Sequence, residues 1–464
     1  MRLLISALMV VLFNGEVLSQ KPRLIVTTDI GQDPDDEQSM VRLLHFANEF
    51  RLEGLIANAD NNSDKEAPVL KAHLIHNMID SYSLIAGNLK VHDPAYPKAE
   101  YLHSIVKKGT FGNRVNVPLN QFVGQGKDTE GSDWIIHVVD KQDSAPLHVS
   151  VWGGACDLAQ VLWKVKQTRS ADQTNAFVKK LRVFFIGKQD ASNQWIIDNF
   201  PDMWIILALD RSGDKWESGY RGMFWGGDMS LTSKEWLHTN IIGQNPLASQ
   251  YPDQAYTGGN ERNPFMAMKE GDSPALLYFM ENGLNQPEHP EWGGWGGRYT
   301  LERNQFYRDD SDSYFDEQAG KIITSPRATV FRWRPDFQND FVARVQWGTK
   351  GYSDANHHPI VEINGDRNKA PLVSDARTGV LIELDAGEST DPDNDHLVFD
   401  WFVYTEAGTY NGDVPIDKTS SSRASLIIPQ DANDKSIQVI CRVSDTGSPS
   451  MTSYKRCIIQ VYEK

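Results

Sequence analysis

Between residues 23 and about 210 the chain alternates two hydrophobic patterns. Short apolar runs at 24–26, 55–57, 83–86, 148–152, 183–186 and 203–209 have the length and composition of strands covered on both faces. Between several of them, as at 67–79 and 157–166, apolar residues recur at helical spacing. The alternation predicts βαβ units, and so an α/β domain with a mostly parallel sheet flanked by helices.

From 211 to 350 the periodicity weakens and Gly, Trp, Tyr and Asn become frequent, which predicts irregular loops and short helices laid over the sheet. In the run Glu291-Trp292-Gly293-Gly294-Trp295-Gly296-Gly297-Arg298-Tyr299, glycines permit tight turns and the aromatic rings offer flat faces. Those faces either stack carbohydrate or pack into the protein's own core. After His357-His358-Pro359, short strands at 380–384, 397–404, 424–428, 436–443 and 454–461 alternate with Gly, Asp, Asn and Ser turns. That pattern predicts an immunoglobulin-like β-sandwich. The expected division is thus 21–350 for the α/β domain and 357–464 for the sandwich.

Composition adds the compartment. Arg2, an apolar run over 3–13 and compact residues near 17–19 read as a removable signal peptide over 1–19. No later stretch is apolar for 18 residues, so the expected protein is periplasmic or secreted, with no membrane span. Sixty-two acidic against 46 basic residues leave a net charge of −16, which argues against a nucleic acid polymer as partner. Cys441 and Cys457 fall on one face of consecutive strands and form either a disulfide or two packed thiols; Cys156 reads as core.

The densest chemistry is Thr27-Thr28-Asp29-Ile30-Gly31-Gln32-Asp33-Pro34-Asp35-Asp36-Glu37, at the seam between the first strand and the helix after it. Asp33 before Pro34 fits an N-cap, and Asp35, Asp36 and Glu37 suit the positive end of a helix dipole. Helix-start chemistry leaves Asp29 unexplained. In an open α/β sheet ligands bind beyond the carboxyl ends of the strands, so acid there points to a hard cation or a polyhydroxylated substrate.

Asp29-x-Gly31 followed by Asp35-Asp36 resembles the aspartate motif of nucleoside hydrolases. Ala57-Asn58-Ala59-Asp60-Asn61, Val151-Trp152-Gly153-Gly154 with Asp157-Leu158-Ala159, and Gly271-Asp272-Ser273-Pro274-Ala275 follow in that family's order. With Gln189-Asp190, the Trp-Gly-Gly loop and the sandwich, nearly the whole chain resembles the bacterial exported family named for a cellulose-binding protein with a nucleoside hydrolase-like domain. The resemblance implies a Ca²⁺ ion held by Asp29, Asp36, Asp272 and the Trp152 carbonyl, six to eight oxygens being its usual complement. It also implies a water made acidic by the metal and attacking an anomeric carbon of a glycan-derived sugar. Asp29 would be the general base, and Asp35, Asn61 or Asp33 would contact sugar hydroxyls.

Three departures qualify the resemblance, one being the two extra residues that separate Gly31 from the Asp35-Asp36 pair. Thr27 replaces the motif's first aspartate, and Gly271 stands at the position of a leaving-group histidine in purine- and pyrimidine-cleaving relatives. Loss of that imidazole argues against an ordinary nucleoside substrate. The alternative function is a carbohydrate-binding (cellulose-binding) protein that has lost catalysis. Asp190, at a strand end, either lines the same cleft or makes a turn. Asp391-Pro392-Asp393-Asn394-Asp395 either binds Ca²⁺ or is an Asx-rich turn. His238, His289, His357 and His358 lack metal-ligand spacing.

Overall fold

Leu24, Ile25 and Val26 are fully buried because their strand lies inside an eight-stranded sheet with helices on both faces. The computed structural model describes residues 21–31, 33–59, 70–111, 118–253, 267–316 and 319–463; the expected signal peptide and Asn61 lie outside them. The sheet comprises β1 (Arg23–Thr28), β2 (Arg51–Ala59), β3 (Val106–Phe111), β4 (Leu147–Val151), β5 (Leu181–Ile186), β6 (Trp204–Ala208), β7 (Tyr299–Arg303) and β8 (Phe306–Asp309). Its order is β3-β2-β1-β4-β5-β6-β8-β7, parallel except for β7. The chain leaves β1 in one direction through β2 and β3 and resumes on its other side at β4. The β1–β4 boundary is therefore the topological switch point, where a crevice opens beyond the strand ends.

The expected strand at 83–86 is absent. Ser83 closes the helix Ala72–Ser83 and Ala86 opens the helix Ala86–His92, so the short apolar run is a helix junction. The third strand is instead β3, whose sequence VKKGTF hides it because an edge strand needs little apolar covering. The region expected to be irregular carries β7 and β8, a hairpin of β9 (Asp312–Asp316) and β10 (Lys321–Ser325), and the helix Arg334–Trp347. Periodicity missed that helix because it is buried nearly all round with its charges inside: Arg344 pairs with Asp340 and Glu49, both at 2.7 Å. Buried charges persist only when paired in this way.

The sandwich sets β11 (Leu372–Arg377), β13 (Leu397–Val403), β16 (Ser436–Asp445) and β17 (Thr452–Tyr462) against β12 (Leu381–Asp385), β14 (Ile416–Asp417) and β15 (Arg423–Ile427). Cys457 lies opposite Val439 and Cys441 opposite Lys455, so the cysteines are diagonal neighbours; both are free, buried thiols. The aromatic loop turns Trp295 and Tyr299 inward, while half-buried Trp292 stacks on His289 with ring centroids 3.7 Å apart. Trp295 and Tyr299 are 1 % exposed, Trp295 Nε1 donates to Tyr454 Oη at 3.1 Å, and Arg456 Nη2 donates to the Gly293 carbonyl at 2.9 Å. The loop thus seats the sandwich on the α/β domain, whose core continues through Tyr404, Ile440, Met451 and Tyr454.

Candidate functional site

β1 ends at Thr28, and Gly31 turns the chain towards the next helix with φ at 91°, a region glycine enters without strain. The helix α1 (Pro34–His45) starts at once. Thr28 Oγ1 donates to Asp36 Oδ1 and accepts from the Ile30 N–H at 3.2 Å, tying the strand end to the first helical turn. α1 also anchors the distant segment that carries Asp272. Gln38 Oε1 accepts from the N–H groups of Lys269 (2.7 Å) and Glu270 (3.0 Å), while its Nε2 donates to the Ala267 carbonyl at 2.7 Å. Arg42 grips Glu270 with both sides of its guanidinium, and Tyr251 and Ser273 hydroxyls donate to the same carboxylate at 2.8 and 2.7 Å. Both charged partners are fully buried; breaking such a pair costs about 3–5 kcal/mol, which fixes Gly271 and Asp272 against the helix.

Three carboxylates converge as a result. Asp35, Asp36 and Asp272 each have an oxygen within 4.8 Å of the others. Asp29 lies beside them at the β1 end, next to the β4 turn: a Cβ on Gly153 would come within 2.5 Å of its Oδ1, so only glycine passes there. Burial pushes the Asp36 carboxyl well above the usual range, and the charges of Asp272, Asp29 and Asp35 push it further. Burial does the same to Asp272, with Asp35 and Asp29 adding and Lys269 opposing. Asp35 is raised to about 6 by burial, against the pull of backbone N–H groups and Arg221. Asp272 Oδ2 is buried without a hydrogen-bond donor, as is Asn58 Oδ1 at the end of β2. Repelling carboxylates and unsatisfied acceptor oxygens are the donor set a hard divalent cation needs.

The remaining sequence-derived residues divide. The Trp152 N–H donates to the Thr27 carbonyl at 2.9 Å, continuing the β1–β4 pairing, and the Trp152 carbonyl accepts from Gln189 Nε2. Thr27 Oγ1 is buried without a partner. Asp33 has the N-cap position and Pro34 follows it, yet its side chain caps nothing. It pairs with Lys269 Nζ, which also lies 3.6 Å from Asp35 Oδ2. Asp190, read as lining the cleft or making a turn, is 1 % exposed and engaged by protein donors: Oδ1 accepts from the Ser192 N–H at 2.8 Å, and Oδ2 from the Ala155 N–H at 3.1 Å. It caps the helix Ala191–Asn199 and joins the β4 and β5 turns.

Sequence reasoning missed Lys269, Tyr220 and Arg221. Burial lowers the Lys269 ammonium to about 8 against the pull of Asp272 and Asp29. Tyr220 borders the space over Gly271: a Cβ there would lie 3.4 Å from Asp35 Oδ2 and 3.5 Å from the Tyr220 ring. Gly219 brings Tyr220 in by donating its N–H to Asp309 Oδ2 at 2.8 Å. Only the position of Lys269, three residues before Asp272, carried any signal in the sequence.

The raised carboxyls predict a pH dependence. Asp35 ionises near 3.8 in the unfolded chain and near 6 in the folded one, so the stability linked to its proton is full below the lower value and lost as pH rises through the upper. A cation bound here would have to displace that proton and those held on Asp36 and Asp272, so Ca²⁺ affinity is expected to fall with falling pH, by at least about tenfold per unit below 6. Buried His45 and His148, lowered to about 4 and about 3, shift stability in the opposite sense. They act equally with and without metal. The difference in thermal midpoint between Ca²⁺ and EDTA, followed from pH 5 to 7.5 by calorimetry, should therefore grow with pH; a constant difference would contradict the assignment.

The family described as cellulose-binding Sde182, nucleoside hydrolase-like domain, matches residues 23–299. The one described as cellulose-binding protein Sde0182, C-terminal domain, matches residues 381–461. A solved nucleoside hydrolase-related hypothetical protein from Saccharophagus degradans, described as associated with carbohydrate metabolism, is 35 % identical with a TM-score of 0.77. The likeness covers 95 % of this chain and 100 % of that one. The PKD domain of the KIAA 1837 protein is 18 % identical, with a TM-score of 0.17 over 20 % of this chain and 83 % of that one. No curated protein matches the chain.

Proposed function

Since the chain belongs to the family of cellulose-binding Sde182 proteins with a nucleoside hydrolase-like domain, we propose that it is an exported hydrolase of glycoside or N-glycosyl bonds acting on a glycan-derived sugar. The observation that carries this reading is the convergence of Asp35, Asp36 and Asp272 beside Asp29 at the switch point of the sheet. Asp36, Asp272, Asp29 and the Trp152 carbonyl would hold Ca²⁺, with Asp35 close enough to share it. When bound, the ion would acidify and orient water for attack on an anomeric carbon.

The chain's own residues do the rest. Asp29 takes the proton of the attacking water. The carboxylates stabilise positive charge on an oxocarbenium-like transition state. Asp35 accepts from sugar hydroxyls; Asn61, given the same role by the resemblance, lies outside the described residues. Tyr220, raised to about 12 by burial, keeps its proton and can donate to the leaving group where Gly271 supplies no side chain. Half-buried Trp216 and Trp225, in aromatic contact at 6.4 Å, already carry cations over their rings, Arg221 at 4.5 Å from the Trp216 centroid and Arg327 at 4.6 Å from that of Trp225.

One observation favours the binding reading instead. Lys269 already neutralises Asp33 and approaches Asp35, as it would in a site that had dispensed with a metal. Pull-down on cellulose and other insoluble glycans, beside release of reducing sugar with Ca²⁺ or EDTA, separates the two. Product in Ca²⁺ alone is expected. Binding with no product across a broad glycan panel would establish the binding reading, and free base released from inosine or uridine would indicate a nucleoside hydrolase.

A further inference from the structure

A second group of carboxylates lies in the turn between β12 and β13. Asp391, Asp393 and Asp395 each place one oxygen within 4.8 Å of the others. Asp391 Oδ1 folds the turn by accepting from the N–H groups of Asp393 and Asp395 at 2.8 and 3.0 Å. Alone, this would be an ordinary acidic turn.

Two buried side chains from other segments distinguish it. Asp445 is 2 % exposed, and pairing of β13 with β16 sets it opposite Leu397, two residues beyond Asp395. Its Oδ1 accepts from Asn356 Nδ2, Gly447 N–H and Met451 N–H at 2.8, 2.9 and 3.0 Å, whereas its Oδ2 has no donor. Asn356, 6 % exposed, donates through Nδ2 to Asp445 Oδ1 and the Pro449 carbonyl, which leaves its Oδ1 without a partner. Asp391 Oδ2 is likewise buried and unpaired. Neighbouring His357 ties the linker to the turn, donating its N–H to Asp393 Oδ2 at 2.7 Å. Three acceptor oxygens from three segments thus lack donors, an unfavourable arrangement for buried polar groups unless a further partner reaches them.

We propose that Asp391, Asp393, Asp395, Asp445 and the Asn356 side-chain oxygen form a Ca²⁺ site, distinct from the Asp36 cluster and sharing no residue with it. Five oxygen-bearing side chains match a hard cation that takes six to eight oxygens, while the His357 Nδ1, 3.0 Å from both Asp393 oxygens, pairs with that carboxylate from outside the ligand set. The ion clips the sandwich to the linker. Asn356 follows the helix Arg334–Trp347, whose last residue donates Nε1 to the Asn356 carbonyl at 2.9 Å, and His357 stacks on Tyr352 with ring centroids 3.8 Å apart.

Calorimetric titration of the full chain with Ca²⁺ tests the site, comparing the unmutated protein, the double variant Asp391→Asn/Asp395→Asn and the variant Asp36→Asn. The unmutated chain is expected to bind two ions, and each variant to lose a different one. A double variant that titrates like the unmutated chain overturns the proposal, as does loss of all binding in Asp36→Asn. Failure of Asp36→Asn to lose an ion would count against the active-site reading alone. Amide exchange in the unmutated chain provides a check that needs no variant. Ca²⁺ should slow exchange about tenfold in 353–359 and 388–397, and unchanged exchange there overturns the proposal.

Discussion

Replacing Asp29 with Asn is expected to lower turnover of any glycoside the protein cleaves by about 10²–10⁴-fold, the usual contribution of a positioned general base. The amide matches the carboxylate in size, so it keeps its place beside Gly153, where nothing larger than a hydrogen fits. It loses the capacity to accept a proton as a base and, at the proposed Ca²⁺ site, one negative ligand charge. It also removes one of the charges that push Asp36 and Asp272 upwards, so the metal-free variant should unfold at the same temperature as the unmutated protein or slightly above it. Initial rates beside thermal unfolding followed by circular dichroism separate the two effects. A full rate would remove Asp29 from the role of base.

Asp36→Asn should weaken Ca²⁺ binding at the active-site cluster by at least about 100-fold. A unit pair at about 4 Å is worth about 4 kcal/mol at an effective dielectric of about 20, and a divalent ion doubles the attraction. Relief of the repulsion from Asp272, Asp29 and Asp35 returns part of that, which leaves a net loss of a few kcal/mol. The amide oxygen can still accept from Thr28, so the strand-to-helix junction survives and the lost affinity reports on charge. Titration calorimetry at pH 7.5 reads it, and an unchanged dissociation constant at this cluster would exclude Asp36 from the site.

Legibility in the sequence followed how locally each feature is encoded. β1, β2, β4, β5 and β6 were readable because strands buried on both faces carry short runs of apolar residues. The start of α1 was readable because Pro34 and three acidic residues in its first turn are a local signature. The helix Arg334–Trp347 was not, since its buried Arg344 and Asp340 satisfy each other and Glu49 through contacts no window of sequence contains. The same holds for Lys269, whose importance lies in reaching Asp33 from more than 200 residues away. The aromatic loop was ambiguous for a similar reason: glycine and tryptophan spacing does not say that Tyr454 waits to receive Trp295.

The sequence by itself determined an α/β domain followed by a sandwich, a family resemblance over nearly the whole chain, and Asp29, Asp36 and Asp272 as the residues worth following. These depend on strand composition, helix starts and motif order, all written within a few neighbouring residues. Tertiary structure alone decided that Asp35 joins Asp36 and Asp272, that Asp33 answers to Lys269, and that Asp190 braces a turn. It also brought Asp445 and Asn356 to the Asp391 turn. Each of those depends on which charges share one buried space, and the cost of burying them unpaired is set by distances that folding alone creates.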